Sequence, residues 1–207
     1  MKEKKLILFD LDGVLVNSKN NMESSWREVQ IKYSITNSFD QYFLHIGKPF
    51  HEIMKALSID DEFNKIEKLY CESSLNRMDL LKFYPGVKKN ILNLKNNGYL
   101  VGIVTSKDKV RTSKIISMLG IDFNVVSSPN SKLRGKPAPD QLLSAIVEMN
   151  VDPSQAVYIG DANVDGLAAK RAGIDFIFAK WGYGDYSDCS LIISKMEDII
   201  NKVSATL

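Results

Sequence analysis

The sequence predicts a doubly wound, Rossmann-like parallel α/β sheet carrying a small all-helical unit inserted after its first strand. Three observations predict it. Short β-rich runs alternate with helical patterns over most of the chain, the mark of a parallel sheet covered by helices. Each of those runs ends near polar or glycine residues. One stretch, Ser18 to Phe83, breaks the alternation with helical periodicity and no convincing strand.

Taken in order, the strand candidates are Leu6 to Phe9, Leu100 to Val104, Phe123 to Ser127, Ala156 to Ile159 and Ile174 to Phe178. Between them, apolar residues recur at helical spacing at Val87, Ile91 and Leu94, at Ile115, Met118 and Leu119, and at Leu142, Ile146 and Met149, which reads as core-facing stripes. In the insertion, Met22, Trp26, Val29 and Tyr33 share one helical face, and Phe63, Ile66, Leu69 and Tyr70 continue the pattern. The chain enters the insertion after Val16 and leaves it at Tyr84-Pro85-Gly86, a turn-forming triplet. The expected division is therefore a core of residues 1–17 and 84–207 and a helical cap of residues 18–83.

A chain of 207 residues with 44% hydrophobic and 25% charged side chains can bury a proper core without staples. Lys+Arg 27 against Asp+Glu 25 leaves a net charge of +2, which offers no basic face for nucleic acid or an acidic membrane. Cys71 and Cys189 have no partner at metal-ligand spacing, so reduced thiols and a cytoplasmic setting are expected. The basic start, Met1 to Lys5, leads into four apolar residues before Asp10, too few for a secretory leader or a membrane span.

The chemistry gathers at strand ends. Leu6-Ile7-Leu8-Phe9 delivers Asp10 to the carboxyl end of the first strand, and Asp12 follows with Gly13 permitting a tight turn. Alone, Asp12-Gly13 would mean only a turn. Tyr158-Ile159-Gly160-Asp161-Ala162-Asn163-Val164-Asp165 ends another apolar strand in two aspartates four apart, which reach the same mouth if a helix begins just after Asp161. Helix capping explains those two equally well. Four converging aspartates are costly without a cation, and an all-oxygen site beside a phosphate suits Mg²⁺. Arg134-Gly135-Lys136-Pro137-Ala138-Pro139 supplies a lysine held by the following proline, fit to clamp a phosphate oxygen and balance Asp10, although taken alone it reads as readily as a surface lysine in a proline-rich loop. Thr105 and Ser106 close a further strand with hydroxyls that can donate to a phosphate.

The ordered set Asp10-x-Asp12-Gly13, Thr105-Ser106, Lys136-Pro137 and Gly160-Asp161-x-x-x-Asp165 resembles the four motifs of haloacid dehalogenase-type phosphatases. Phe83-Tyr84-Pro85-Gly86-Val87 resembles the family's return from its cap, and Lys180-Trp181-Gly182-Tyr183-Gly184 looks like the phosphoglycolate phosphatase branch. The insertion would be the family's first-type helical cap. Two departures are Asn17, where aspartate is commoner, and Ala162, where serine is commoner. Neither removes a catalytic group.

The resemblance implies a Mg²⁺-dependent phosphatase acting on a small phosphomonoester, of phosphoglycolate or sugar-phosphate type, through an aspartyl-phosphate at Asp10. Asp12 would be the acid and base and Lys136 the clamp, with Thr105 and Ser106 holding phosphoryl oxygens. Asp10, Asp161 and the Asp12 carbonyl would ligate the metal, and Asp165 would orient its waters or Lys136 from outside that set. Specificity is expected in the cap loop Ile46-Gly47-Lys48-Pro49-Phe50-His51, with Lys48 and His51 the candidates and Trp26 and Phe50 assigned to the cap core. The rivals are a phosphomutase resembling β-phosphoglucomutase and a catalytically silent phosphate-binding protein on the same scaffold. Phe50 stands where the mutase branch carries a cap arginine, which favours hydrolysis.

Overall fold

The computed structural model describes residues 4–186 and 191–205; Cys189 lies outside them. Its main sheet uses β1 (Leu6–Phe9), β4 (Leu100–Val104), β5 (Val125–Ser127), β6 (Ala156–Gly160), β7 (Asp175–Ala179) and β8 (Ile192–Ile193). All pairings are parallel and the order is β5-β4-β1-β6-β7-β8. A second, two-stranded antiparallel sheet joins β2 (Val16–Asn17) to β3 (Lys82–Phe83). Between β2 and β3 run α1 (Lys19–Tyr33), α2 (Phe39–Phe43), α3 (Phe50–Ala56) and α4 (Phe63–Asn76). After β3 come α5 (Val87–Asn96), α6 (Lys109–Leu119), α7 (Asp140–Glu148), α8 (Asn163–Ala172) and α9 (Ile199–Ala205), interleaved with the remaining strands.

Strand periodicity separates the two faces. Ile7 and Phe9 turn with Val101, Ile103, Val157 and Ile159 toward Ile91 and Leu94 of α5, Ile115 of α6 and Val203 of α9. Leu6, Leu8 and Tyr158 turn the other way, toward Leu142 and Ile146 of α7 and Ala168 and Ala169 of α8. Helices on both faces make the sheet doubly wound, as expected. The chain winds from β1 out to β4 and β5, then crosses back to β6, so the reversal point lies between β1 and β6, where ligand crevices form in such sheets.

The structure departs from expectation at several places. Met118 is 42% exposed, because Thr112, Ile115 and Leu119 form the buried i, i+3/i+4 stripe and Met118 lies about 100° around the helix from Leu119. The third predicted strand starts at Val125 rather than Phe123; Asn124 bonds Val101 from both backbone and side chain just before it. The two-residue strands β2, β3 and β8 were not foreseen, being too short for a period-2 pattern. β3 also corrects the reading of Ser18 to Phe83 as strand-free, since the chain leaves for the insertion and returns from it along one antiparallel pair.

The inserted helices have their own apolar cluster of Trp26, Val29, Tyr42, Ile53, Met54, Leu57, Ile66 and Tyr70. Buried Asn21 locks α1 to the end of α4, donating to the Ser74 and Arg77 carbonyls and accepting from Ser74 Oγ. Among the described residues no helix is long and apolar enough to cross a membrane.

Candidate active site

Adjacent parallel strands bring the predicted residues together. Asp10 follows β1, and its amide donates to the Ile159 carbonyl of neighbouring β6 at 2.9 Å. On the other side, β4 carries Thr105 just past its end, with its amide on the Ser127 carbonyl. Asp161 follows β6, and α8 begins two residues later, which turns Asp165 back onto the same mouth. Asp10, Asp161 and Asp165 each place a carboxylate oxygen within 4.8 Å of the others. Two glycines make this approach possible. A Cβ on Gly13, whose φ is +85°, would lie 2.1 Å from Asp161 Oδ2, and one on Gly182 would lie 2.2 Å from the Asp161 Cβ.

Lys136 is fully buried. Its Nζ lies 3.0 Å from Asp10 Oδ1 and 2.6 Å from Asp165 Oδ1, and it donates to the Tyr158 hydroxyl at 3.1 Å. Asp165 Oδ2 accepts from the Asp161 and Ala162 amides, so this residue caps α8 and anchors Lys136 at once. The capping and functional readings of Asp165 are therefore not exclusive. Asp161 Oδ2 accepts from the Tyr183 amide at 2.6 Å. Burial pushes the Asp10 carboxyl up to about 7, against the opposing pull of the Lys136 ammonium. It raises Asp161 well above the ordinary range too, with Asp165 and Asp10 adding repulsion. Buried carboxylates that resist ionisation beside one another are a setting that a hard dication relieves, and carboxylate oxygens fit Mg²⁺.

Asp12 sits beyond this group. Its Oδ1 accepts from Ser18 Oγ and its Oδ2 lies 3.1 Å from the Lys107 ammonium. A cavity of about 60 Å³ opens between the mouth and the inserted helices, lined on the sheet side by Asp10, Asp12, Thr105, Ser106 and Asp161. Tyr42, Gly47, Lys48, Phe50, Ile53 and Tyr70 line it from the insertion. Ser106 Oγ donates to the Gly47 carbonyl at 2.6 Å, tying β4's end to the inserted loop. Lys48 is thus placed at the cavity, whereas His51 is exposed, with its ring edge-on to Phe63, and does not line it. Trp26 is fully buried and stacked on Tyr42 at 4.6 Å, while Phe50 both packs on that cluster and faces the cavity.

The haloacid dehalogenase-like hydrolase family matches residues 7–179. The chain belongs to that family. A phosphoglycolate phosphatase of Colwellia psychrerythraea is 30% identical over 88% of this chain and 87% of its own. The PpaX protein of Clostridium perfringens, which carries a pyrophosphatase name, is 31% identical over 82% of this chain and 80% of its own. Among solved structures, a Haemophilus somnus 129pt protein described as a predicted phosphoglycolate phosphatase superposes with a TM-score of 0.88 at 25% identity, covering 97% of this chain and 98% of that one. This haloacid dehalogenase-like hydrolase shares the fold of that structure, and its own acidic residues Asp10, Asp161 and Asp165 gather in one place.

Sequence reasoning missed four residues at the mouth. Tyr158, read only as a strand residue, meets Lys136, Asp165 and the Val104 carbonyl through its hydroxyl. Tyr183 accepts from the Ser18 amide at 2.6 Å and stands edge-on to Phe43 of α2, bridging the core to the insertion. Lys107 and Arg111 are 6% and 7% exposed and line the cavity, although lysine and arginine are ordinarily surface residues. Their signal lay in Thr105-Ser106-Lys107-Asp108: a capping aspartate at 108 starts a helix there and carries both cations to the strand's end.

Proposed function

We propose that this haloacid dehalogenase-like hydrolase is a Mg²⁺-dependent phosphatase that cleaves a small phosphomonoester through an aspartyl-phosphate at Asp10, with residues 18–83 as a cap. The observation that carries this reading is the convergence of Asp10, Asp12 and Asp161 at the reversal point of the sheet, lining a cavity closed by the inserted helices, with Lys136 held against Asp10. Its relatives' names support the reaction class, since phosphoglycolate and pyrophosphate each offer one phosphoryl group to such a mouth.

Asp10 attacks phosphorus with one carboxylate oxygen as the bond to the leaving oxygen breaks, and Asp12 gives that oxygen a proton. Water then attacks the acyl phosphate, loses a proton to Asp12, and frees Asp10 and inorganic phosphate. Lys136 holds Asp10 in place and faces the phosphoryl oxygens, and its own position is fixed by Asp165 and Tyr158. Thr105 and the Ser106 backbone take the remaining oxygens. Asp10, Asp161 and the Asp12 carbonyl would hold Mg²⁺, which when bound supplies charge neutralisation at the phosphoryl oxygens. The bonds of Asp165 to Lys136 and to two amides support its place outside the ligand set. The half-buried, unbridged thiol of Cys71 accords with a cytoplasmic setting.

Phosphate release from phosphoglycolate, sugar phosphates and nucleotides, with Mg²⁺ and with EDTA, tests this reading alongside Asp10→Asn. Release that needs both metal and Asp10 is expected; release that survives Asp10→Asn in a clean preparation removes Asp10 from its role. The mutase alternative is disfavoured by Phe50, which packs on Tyr70 and Phe63 and offers no charge to a second phosphate.

A further inference from the structure

We propose that Lys107 and Arg111 form a second anion site beside Asp12, so that the substrate carries a further compact anionic group, a carboxylate or a phosphate, next to the bond that is cleaved. This rests on the phosphatase reading and narrows its substrate class. Four observations support it.

Both cations line the cavity although both are more than nine-tenths buried, a placement that costs free energy unless donors are satisfied. The described ion pairs and hydrogen bonds take only part of their donors. Lys107 has three donors, and Asp12 is its one ion-pair partner among the described residues. Arg111 has five, and its Nε is given to Asp108, leaving both Nη groups without a described hydrogen bond.

Each is also held in place. The Lys107 amide donates to Thr105 Oγ1 at 3.1 Å and its carbonyl accepts from Thr112 Oγ1 at 3.2 Å. Asp108 caps α6 through the Arg111 amide, and the guanidinium lies 5.2 Å from the centre of the Tyr70 ring. The carboxyl groups nearby are Asp12, Asp108 and half-buried Glu67, with the Cys71 thiol 3.8 Å from Asp108.

The location is on the leaving-group side, because Lys107 pairs with the acid Asp12 while Lys136 serves Asp10 and Asp165. Finally, the cavity lining joins Met22, Ile46, Phe50 and Ile53 to the two cations, a setting that suits a short leaving group ending in an anion.

The test is Mg²⁺-supported hydrolysis of 2-phosphoglycolate, pyrophosphate and ethyl phosphate by the full chain, with p-nitrophenyl phosphate as a control for the chemistry. Wild type is expected to favour one of the two anionic substrates over ethyl phosphate by at least about tenfold in kcat/KM. Which of the two turns over faster separates a carboxylate from a phosphate. Lys107→Gln and Arg111→Gln should each shrink that ratio by about tenfold or more, chiefly through KM, and Arg111→Lys should restore part of it. A ratio near one in wild type, or one unchanged in folded variants, overturns the proposal. Should the variants fail to fold, wild type decides by inhibition: phosphonoacetate must bind more tightly than methylphosphonate. No release even from p-nitrophenyl phosphate defeats the phosphatase reading instead, and calorimetric binding of the same two phosphonates then judges the anion site separately.

Discussion

On the sheet side, Asp10 and Asp161 line the cavity and are backed by Asp165 and Lys136; all four are at most 4% exposed, and their partners fix their positions. On the helical side the wall is Tyr42, Phe50, Ile53 and Tyr70, members or neighbours of an apolar cluster, with Lys48 as an added cation. The first wall is made of charges held by backbone: strand ends, a helix N-terminus and glycines that leave room for carboxylates. The second is made of packing, where one aromatic ring replaces another at modest cost. A fixed charged wall suits a phosphoryl group common to many substrates, and a packed wall is free to vary with whatever is attached to it.

The largest break in this comparison comes from the charged wall. Lys136→Met removes the one ammonium shared by Asp10 and Asp165, and turnover should fall on the order of 10²–10³-fold or more, judged by kcat on p-nitrophenyl phosphate. A variant within threefold of wild type would show that the lysine only neutralises buried charge. The packed wall answers differently. Trp26→Ala empties a fully buried site among the inserted helices and should cost about 3–5 kcal/mol. Hydrogen exchange locates the damage: residues 19–76 should lose protection before β1 and β6 do. A uniform loss across both regions would mean that the inserted helices do not form a unit of their own.

This division also explains what could be read from the sequence. Asp10 and Asp161 were legible because a short apolar run dictates where a strand ends, and a charge just past it has one place to go; Asp165 was legible as the residue that a helix starting after Asp161 turns back to the same mouth. Lys136 was legible only together with the other motifs, since a lysine before a proline in a loop reads as readily as a surface residue. Lys107 and Arg111 were not, because nothing local distinguishes a buried cation from a solvated one; Arg111 meets the Tyr70 ring of α4 only through a long-range contact. Tyr183 lies 165 residues from its partner Ser18, beyond any local pattern. Loop 46–51 was legible as a loop, yet the facing of Lys48 toward the cavity and of His51 away from it is set by how α3 docks on α4. Short strands such as β8 gain their identity from the neighbour they pair with rather than from their own residues.

The smallest effect sharpens the comparison, because it asks whether the charged wall is stable by itself. Burial raises the Asp10 carboxyl to about 7 and raises Asp161 as well. A carboxyl whose folded pKa lies above its unfolded value binds its proton more tightly in the folded state. Its contribution to stability is complete below the unfolded value, near 4, and is lost as pH rises through about 7. The protein without divalent cation should therefore lose stability as pH rises from about 4 through about 7 at Asp10, with the Lys136 ammonium limiting the loss. Mg²⁺ binds the ionised carboxylates and competes with those protons, so it should raise Tm by a few degrees at pH 8 and by much less at pH 5.5. Equal shifts at both pH values would point to a cation bound elsewhere, and Asp161→Asn should abolish the pH 8 shift if the charged wall is where it binds.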